Sequence, residues 1–419
     1  MFKKNKIYLD FASATPVDEK VLKLMSLYNK DYFANASAIH SDGVKAREVI
    51  EKSREKIANE INAHSDEIIF TGSSTESNAL AILGVVNNFK IKNKGVIPHI
   101  ITSEIEHPAV LENCKMLEER GEAEVTYVKI NEDGIINPKE VKEAMKENTI
   151  LVSIMYANNE IGTIQPIEEI AKEIRHYKKV ADGDLAFVGP KARFREAGFP
   201  LFHTDATQAM NYLDISNIEK LGVDMMSFNG SKIYGPKGIG VLFKKRSVLV
   251  SPLYTGGMQE FGLRSGTENV TSIAGLALAL LITNKIKSKE VERLIKIRDC
   301  AIDKLLNVKV GDYKIILNGS KDVRLPNNIN ISIPGISSEL LVIELDAKGI
   351  EVSSKSACKS EEEGESYVLK ALRIAQEEKL NEEEGSLRIT LGRGTTKADM
   401  DKFLVSISSI LKKYSEWKK

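Results

Sequence analysis

The sequence predicts an α/β protein whose mostly parallel sheet is covered by helices, and three observations carry this prediction. The chain has 419 residues, of which 42% are hydrophobic and 28% charged, which is enough for a sizeable core. Between residues 67 and 178, short β-branched runs alternate regularly with longer helical patterns. Beyond residue 260 the pattern changes to long helices that lead to a few strands, which predicts a smaller α+β part.

The alternation fixes the elements of the first part. The predicted strands are Glu67–Thr71, His99–Ser103, Val125–Ile130 and Thr149–Met155, followed later by Pro200–His203. The predicted helices between them are Glu76–Val86, Pro108–Glu119, Pro138–Lys146 and Ile167–Lys178. Helical crossovers between strands favour a parallel sheet. Ligands of such sheets bind beyond the carboxyl ends of the strands.

The C-terminal part has its own set of predicted elements. They are helices at Ile273–Ile286 and Val291–Val308, strands at Asn328–Ile333 and Leu387–Leu391, and a last helix whose apolar residues from Met400 to Leu411 form one stripe. We therefore expect a large domain at residues 15–260, and a small domain made of residues 1–14 and 261–419. The stretch Val180–Pro200 has no clear period, so it is either a surface insertion or a functional loop.

Composition excludes several classes of function. Lys plus Arg and Asp plus Glu each number 59, so the balanced charge gives no reason to bind nucleic acid or an anionic membrane. The longest apolar run, Ile273–Ile282, is too short to span a bilayer, and the N-terminus lacks the apolar region of a signal peptide. Three widely spaced cysteines predict neither a disulfide framework nor a metal site. We therefore expect a cytoplasmic protein.

The cysteines differ in their surroundings. Cys114 and Cys300 lie on helical patterns and are expected to be buried. Cys358 lies in a polar stretch, SSKSACKS, that is followed by acidic residues and is expected to be exposed. An exposed cysteine is the stronger candidate for chemistry.

Two glycine-containing segments are candidate binding elements. In TGSSTES, Ser74 and Thr75 would stand at a helix N-terminus, which can bind phosphate, although they could equally be a plain N-cap. In NGSKIYGPKG, Lys232 lies between glycines, but the spacing does not make a Walker A loop. A desolvated lysine there could form a Schiff base, and the alternative is an exposed lysine on a turn.

Four further residues follow or occupy predicted strands. Asp205 stands at the carboxyl end of a strand, where a carboxylate can hold a heterocyclic N–H. His203 and Asp205 lack the additional ligands that a metal site requires. His107 is either a structural histidine or a functional one. Arg388, on a predicted strand, could clamp a carboxylate.

The order of the motifs along the chain resembles the cysteine desulfurases of the NifS/IscS type. These belong to the class V aminotransferase group of fold-type I enzymes, which use pyridoxal 5′-phosphate (PLP). The matching stretches run nearly end to end and are YLDFASATPVD, NASAIHSDG, EIIFTGSSTESNALAI, HIITSEIEHPAVL, NNEIG, HTDATQ, MSFNGSKIYGPKGIG, GLRSGTEN, SSKSACKS and SLRITLGR. The resemblance implies a large domain built on a seven-stranded sheet.

The resemblance also implies how the cofactor would be held. Lys232 would carry PLP through a Schiff base, Asp205 would pair with the pyridinium nitrogen, and Gln208 would bond the phenolic oxygen. His107 would stack on the ring and assist proton transfer. Asn159 would help to hold both cofactor and substrate.

The phosphate would be bound from two subunits. Ser74, Thr75 and Ser231 would contact it within one chain. Thr267 would reach it from the other subunit of a homodimer, which is itself implied only by the resemblance.

The implied reaction converts L-cysteine to L-alanine. Arg388, together with Asn35, would bind the substrate carboxylate. Cys358 would accept the sulfur as a persulfide, for delivery to an iron–sulfur scaffold protein in cluster assembly, to tRNA thiolation or to another acceptor.

Three departures from the family pattern leave alternatives open. Ser231 replaces the usual histidine before the lysine, Lys355 replaces a glycine near the cysteine, and the Val180–Pro200 stretch is unusual. The alternatives are a selenocysteine lyase-like or other class V PLP enzyme, and a degenerate, non-catalytic homologue that acts as an interaction protein.

Overall fold

A computed structural model of the chain describes residues 6–183, 198–354, 366–377 and 384–417. Its strands, in chain order, are β1 (Ile7–Tyr8), β2 (Ile68–Thr71), β3 (His99–Ser103), β4 (Glu124–Val128), β5 (Thr149–Ser153), β6 (Leu201–Asp205), β7 (Met225–Asn229), β8 (Gly240–Lys244), β9 (Ile316–Leu317), β10 (Asn328–Pro334), β11 (Ile350–Glu351) and β12 (Glu384–Thr390). Its helices are α1 (Glu19–Asp31), α2 (Ser41–Glu60), α3 (Ser74–Lys92), α4 (Pro108–Glu119), α5 (Pro138–Glu143), α6 (Ile167–Gly183), α7 (Ile218–Leu221), α8 (Val270–Leu306), α9 (Ser338–Ala347), α10 (Tyr367–Ala375) and α11 (Lys397–Trp417).

The main sheet has seven strands in the order β2-β8-β7-β6-β5-β3-β4. Neighbouring strands from β7 to β4 run parallel, and β8 is antiparallel to both of its neighbours. The sheet buries both faces, since Ile68 packs into one core cluster while the adjacent Ile69 packs into the other. This confirms the predicted α/β class with its mostly parallel seven-stranded sheet.

A small antiparallel sheet, β12-β10-β9, forms the C-terminal part. The chain start joins this part, because β1 pairs with β11 and Leu9 lies in the same core cluster as Ile389. The predicted small α+β part is thus confirmed in its architecture.

One long helix, α8, replaces the two helices predicted at Ile273–Ile286 and Val291–Val308, so that prediction was wrong. The intervening residues, Lys287 to Glu290, include no glycine or proline, and nothing in them interrupts helical hydrogen bonding. The first half of α8 packs into the core of the large sheet and the second half into the core of the small one. The domain limits at residue 260 stay a prediction.

Helix α8 also answers the question of membrane spans for the described residues. It is long and apolar enough to cross a membrane by length and composition, yet 61% of its apolar window is buried inside the protein. It is therefore a buried core helix.

The stretch Val180–Pro200 was predicted to be a surface insertion or a functional loop. Its first residues belong to the last turn of α6, and residues 184–197 lie outside the described residues.

The two described cysteines do not share one environment. Cys114 is buried as predicted, whereas Cys300 is exposed on α8. The prediction for Cys300 was wrong because α8 is a single helix whose second half is only partly covered by the small core. Cys358 and Lys355 lie outside the described residues.

Candidate active site

A cavity of about 150 Å³ opens at the carboxyl ends of the parallel strands. This position is where open α/β sheets bind ligands. We call it the lysine cavity. Nine of the predicted site residues line it, namely Ser74, Thr75, His107, Asn159, Asp205, Gln208, Ser231, Lys232 and Arg388.

Lys232 is positioned by a single tight turn after β7. Residues Gly230–Lys232 form one 3₁₀ turn, and the backbone carbonyl of Lys232 accepts a hydrogen bond from Asn211. The Lys232 Nζ donates to the carbonyl oxygen of Ser13. Because Ser13 Oγ also accepts from Arg388 Nη2 at 2.6 Å, one residue joins the two cationic side chains of the cavity.

The N-terminus of α3 forms a second wall. Its N-cap is Ser73, which accepts from the amide of Glu76 at 3.2 Å, so the predicted capping by Ser74 or Thr75 was wrong by one residue. The Ser74 hydroxyl is thereby released and instead accepts from Asn229 Nδ2 at 2.7 Å. Asn229 Oδ1 in turn accepts from Ser231 Oγ at 3.1 Å.

A glycine permits this arrangement. Gly240 on β8 faces the backbone of Ser73, and any side chain at this position would collide with it. The helix N-terminus can therefore lie directly against the sheet, with its free amides and hydroxyls directed towards the cavity.

Asp205 is a buried carboxylate at the end of β6. Its Oδ2 accepts from Asn78 Nδ2 at 2.7 Å, and its Oδ1 accepts from the amide of Thr207 at 2.9 Å. These two donors fix the orientation of the carboxylate. The adjacent His203 is held by the hydroxyls of Ser153 and Ser227 at 2.8 and 2.9 Å, which makes it a structural residue.

His107 caps α4 and lines the lysine cavity. Its Nδ1 accepts from the amide of Ala109 at 3.1 Å, so the neutral ring carries its proton on Nε2. Burial lowers the pKa of His107 below its usual value, Asp205 opposes this shift, and Lys232 adds to it. We therefore expect a neutral imidazole at pH 7.

Glu106, which sequence reasoning did not single out, braces the turn that carries His107. Its Oε1 accepts from Ser103 Oγ at 2.7 Å and from the amide of Met155 at 2.9 Å, which ties the end of β3 to the end of β5. Burial raises the pKa of this carboxyl to about 8, against the opposing effect of those two donors. The buried acid is thus neutral at pH 7.

The raised pKa of Glu106 predicts a pH-dependent effect on stability. Between about pH 4.5 and pH 8 the folded protein keeps a proton that the unfolded chain releases, so the free energy of unfolding falls as pH rises through this window. We expect Glu106→Gln to gain stability relative to the unmodified protein between pH 6 and pH 9, as measured by urea unfolding. The exposed Glu112→Gln is the control. An identical difference at both pH values would contradict the assignment.

Arg388 and Asn159 form the wall opposite α3. The guanidinium of Arg388 is almost fully buried; its Nη2 donates to Asp10 at 2.8 Å and its Nη1 to the carbonyl of Asn159 at 3.1 Å. The Nε of Arg388 and the Oδ1 of Asn159 are both buried and have no hydrogen-bond partner in the structure. Buried polar atoms are rarely left without a partner, so the pair has capacity for a ligand.

Two predicted residues lie outside the lysine cavity of this single chain. Asn35 is exposed, and its Oδ1 accepts from the amide of Ser37 at 2.9 Å. Thr267 is exposed on the segment before α8. Their predicted roles stay predictions.

Other lining residues were missed by sequence reasoning. They are Ala12, Ser13, Ser73, Met155, Ala157, Thr207 and Asn229. Five of them, Ala12, Ser13, Ser73, Thr207 and Asn229, lie in motifs quoted above, but no property of these residues singled them out within those motifs. Ser13 and Thr207 are short polar residues of a kind that is common on any surface, so their types gave no warning.

The lining suits a cofactor of the PLP kind. It supplies an amine in Lys232, a fixed carboxylate in Asp205, and hydroxyls at a helix N-terminus that suit a phosphate. The Oγ1 of Thr207 is a third buried atom with no hydrogen-bond partner, beside those of Asn159 and Arg388. The residues that line the lysine cavity therefore fit PLP.

With this fold and cavity in view, the chain can be classified. The family described as aminotransferase class-V matches residues 7–191 and 191–403. The chain therefore belongs to the class V aminotransferase family, which depends on PLP.

Individual relatives narrow the resemblance within that family. The chain is 41% identical to the cysteine desulfurase IscS of Dictyoglomus turgidum, over 99% of this chain and 98% of that protein. It is 38% identical to the cysteine desulfurase IscS 1 of Archaeoglobus fulgidus, over 97% of both chains. A solved NifS-like protein superposes with a TM-score of 0.84 at 32% identity, covering 97% of this chain and 99% of that one. The chain is thus a NifS/IscS-like member of the family.

Proposed function

We propose that this protein is a PLP-dependent cysteine desulfurase that converts L-cysteine to L-alanine and carries the sulfur as a persulfide on Cys358. The observation that carries the proposal is the juxtaposition in one cavity of Lys232, Asp205, His107 and Arg388. The amine, the carboxylate and the imidazole suit a PLP-dependent reaction of an amino acid. The guanidinium suits binding of the substrate carboxylate. The full-length similarity to named cysteine desulfurases supports the same reaction.

Different residues of the cavity would bind different parts of the cofactor. Lys232 would bond the aldehyde carbon, Asp205 would hold the ring nitrogen, and His107 would lie against the ring. Gln208, whose Nε2 now donates to the carbonyl of Ala12 at 3.0 Å, would bond the phenolic oxygen. When bound, PLP supplies an electron sink for the substrate carbon next to the carboxylate.

The phosphate would take the α3 end of the cavity. Ser74, Thr75 and Ser231 would bond it, supported by the dipole of α3. Ser231 Oγ donates to Asn229 Oδ1, and the presence of this hydroxyl donor supports a role for the serine in place of the family histidine. The departure at Ser231 therefore need not abolish phosphate binding.

The remaining residues would act on the substrate. Arg388 would bind the carboxylate, with Asn159 beside it. Lys232, once released by the incoming amine, would take the proton from the α-carbon, and this base must be uncharged to do so. His107, with its proton on Nε2, would supply the proton that the substrate carbon takes when its bond to sulfur breaks.

The sulfur step balances without an added oxidant. The Cys358 thiolate attacks the substrate sulfur, the carbon–sulfur bond of L-cysteine breaks, and the bonding pair stays on carbon, which takes a proton to give L-alanine. The two sulfurs share the new bond in the persulfide. The assignment of Cys358 rests on the family resemblance.

The described ends of the Cys358 segment support its access to the cavity. Before it, Ser353 pairs with Arg388 through two backbone hydrogen bonds of 2.7 and 3.2 Å. After it, Ser366 donates to the buried carboxylate of Glu160, next to Asn159, and Tyr367 OH donates to the carbonyl of Glu106 at 2.5 Å. One end is thus paired with a residue that lines the lysine cavity, and the other end bonds residues adjacent in sequence to the lining residues Asn159 and His107.

The proposal also covers the oligomeric state, the sulfur acceptor and the cellular location of the protein. A homodimer would bring Thr267 of one subunit to the phosphate of the other, which suits the exposed position of Thr267 outside the cavity of its own chain. An iron–sulfur scaffold protein, or another acceptor such as the tRNA thiolation machinery, would take the persulfide sulfur. We place the protein in the cytoplasm, where reduced thiols persist.

A comparison of substrates tests the proposal against its nearest alternative. Purified protein loaded with PLP should form alanine from L-cysteine with one sulfur transferred per alanine. Alanine from L-selenocysteine alone would favour a selenocysteine lyase-like enzyme. Failure to take up PLP would favour a non-catalytic homologue.

A further inference from the structure

We propose that Arg393 is a positioning residue that fixes the main chain next to Lys232 and so sets the orientation of the lysine. The inference rests on the proposed function. Arg393 lies beyond β12 and does not line the lysine cavity, so in this proposal it touches neither substrate nor cofactor. It acts through Ile233 and Tyr234, the two residues that follow the lysine.

The backbone at Tyr234 is held in an unusual conformation. Its φ is 61°, in the left-handed region that residues with a side chain seldom occupy. Such conformations persist only where the surroundings over-determine them, and they cluster at functional sites. Tyr234 lies two positions after Lys232, so its conformation sets the direction in which the chain continues after the turn that carries the lysine.

Arg393 surrounds Tyr234 from two directions. Its guanidinium carbon lies 3.9 Å from the centroid of the Tyr234 ring, and its backbone amide donates to Tyr234 OH at 2.7 Å. Burial raises the pKa of Tyr234 to about 12, so the hydroxyl stays protonated and neutral at working pH. The ring is therefore fixed at its face and at its tip.

The same guanidinium reaches the two neighbouring main-chain segments. Its Nη2 donates to Thr283 Oγ1 at 2.7 Å, and Thr283 Oγ1 donates in turn to the carbonyl of Ile233 at 3.3 Å. Its Nη1 donates to Asp18 at 3.2 Å, and the amide of Asp18 donates to the carbonyl of Tyr234 at 2.9 Å. One side chain thus holds both residues that follow Lys232.

This set of contacts connects the two parts of the fold. Arg393 follows the strand that carries Arg388, whereas Tyr234 follows the turn that carries Lys232. The contact therefore keeps the proposed carboxylate-binding residue and the proposed cofactor-binding lysine in register. A lysine would not replace Arg393, since its single ammonium lacks the planar fork that directs Nη1 to Asp18 and Nη2 to Thr283.

The test compares two arginines that donate hydrogen bonds inside the fold. Arg393→Met keeps an apolar stem and removes the guanidinium. The control is Arg298→Met, because Arg298 is buried and donates to the carbonyls of Arg324 and Leu325 at 3.0 and 2.9 Å, away from Lys232. PLP retention after dialysis and the yield of cofactor trapped on Lys232 by borohydride are measured for both variants, with urea unfolding to match their stability.

We expect Arg393→Met to weaken PLP retention and lower the trapping yield by about tenfold, since it removes a stacked cation and two charged hydrogen bonds. Arg298→Met should keep both values even where its stability falls. Equal retention and trapping in Arg393→Met and the unmodified protein would overturn the inference.

A second variant keeps the inference testable if Arg393→Met does not fold. Thr283→Val removes the hydroxyl that joins Arg393 to Ile233, and it should lower the trapping yield in the same direction. Unchanged trapping in that variant would overturn the inference. An unmodified protein that takes up no PLP would contradict the proposed function itself, and the inference with it.

Discussion

Replacing Lys232 with alanine is expected to abolish the visible absorbance of bound PLP and to lower alanine formation by about 10³-fold. The side chain carries two functions in the proposal, the covalent bond to the cofactor and the removal of the α-proton. General acid–base catalysis alone contributes about 10²–10⁴-fold, so the loss is expected to be large. Absorption spectra and an alanine assay on the same sample measure both effects.

The turn offers a matched control for this substitution. Lys237 lies five residues further on, is exposed, and does not line the cavity. Lys237→Ala should keep the spectrum and the rate. An unchanged spectrum in Lys232→Ala, or the same loss in Lys237→Ala, would refute the role of Lys232.

Replacing Cys358 with alanine is expected to separate cofactor chemistry from sulfur transfer. The variant should keep the PLP absorbance and its response to L-cysteine, because no residue of the lysine cavity is changed. Persulfide formation should stop, and alanine production without added thiol should fall by about 10³-fold, since the covalent nucleophile is lost. Mass spectrometry of the protein after a single turnover detects the added sulfur.

The described chain leads from the lysine cavity towards Cys358, which itself lies outside the described residues. Ser353, five residues before Cys358, pairs with Arg388 through two backbone hydrogen bonds. Cys300→Ala is the control, since Cys300 is the exposed cysteine among the described residues. Sulfur found on Cys300, or normal alanine formation by Cys358→Ala, would exclude Cys358 as the acceptor.

Site residues could be predicted from the sequence where a recognisable motif stands at the end of a predicted strand. Asp205 stands at the end of a predicted strand, and the carboxyl ends of parallel strands meet at one edge of the sheet, so its place at that edge could be expected. No strand was predicted before Lys232, and its place beside Asp205 was implied by the family resemblance alone. Asn78 could not be expected, because it reaches Asp205 from the second turn of α3. The pairing depends on how α3 lies against the sheet, which no local pattern encodes.

Local patterns also failed where a boundary was set by a single hydrogen bond or by the absence of a breaker. Ser73, rather than Ser74, caps α3 because its side chain meets the amide of Glu76. The polar residues near Lys287 suggested a break between two helices. They are explained instead by a single helix whose exposed face changes where it passes from the core of the large sheet to the core of the small one. Arg393 ends the motif SLRITLGR, but the motif did not indicate its partners, since its contacts join positions about 160 residues apart in the chain.

The most direct test of the proposed cysteine desulfurase activity is a visible spectrum of the PLP-loaded protein before and after addition of L-cysteine, with alanine assayed alongside. We expect a PLP absorbance band that changes on addition of L-cysteine, while alanine and a Cys358 persulfide appear in equal amounts. A protein that shows no band after incubation with PLP, or a band that L-cysteine does not change, would contradict the proposed activity.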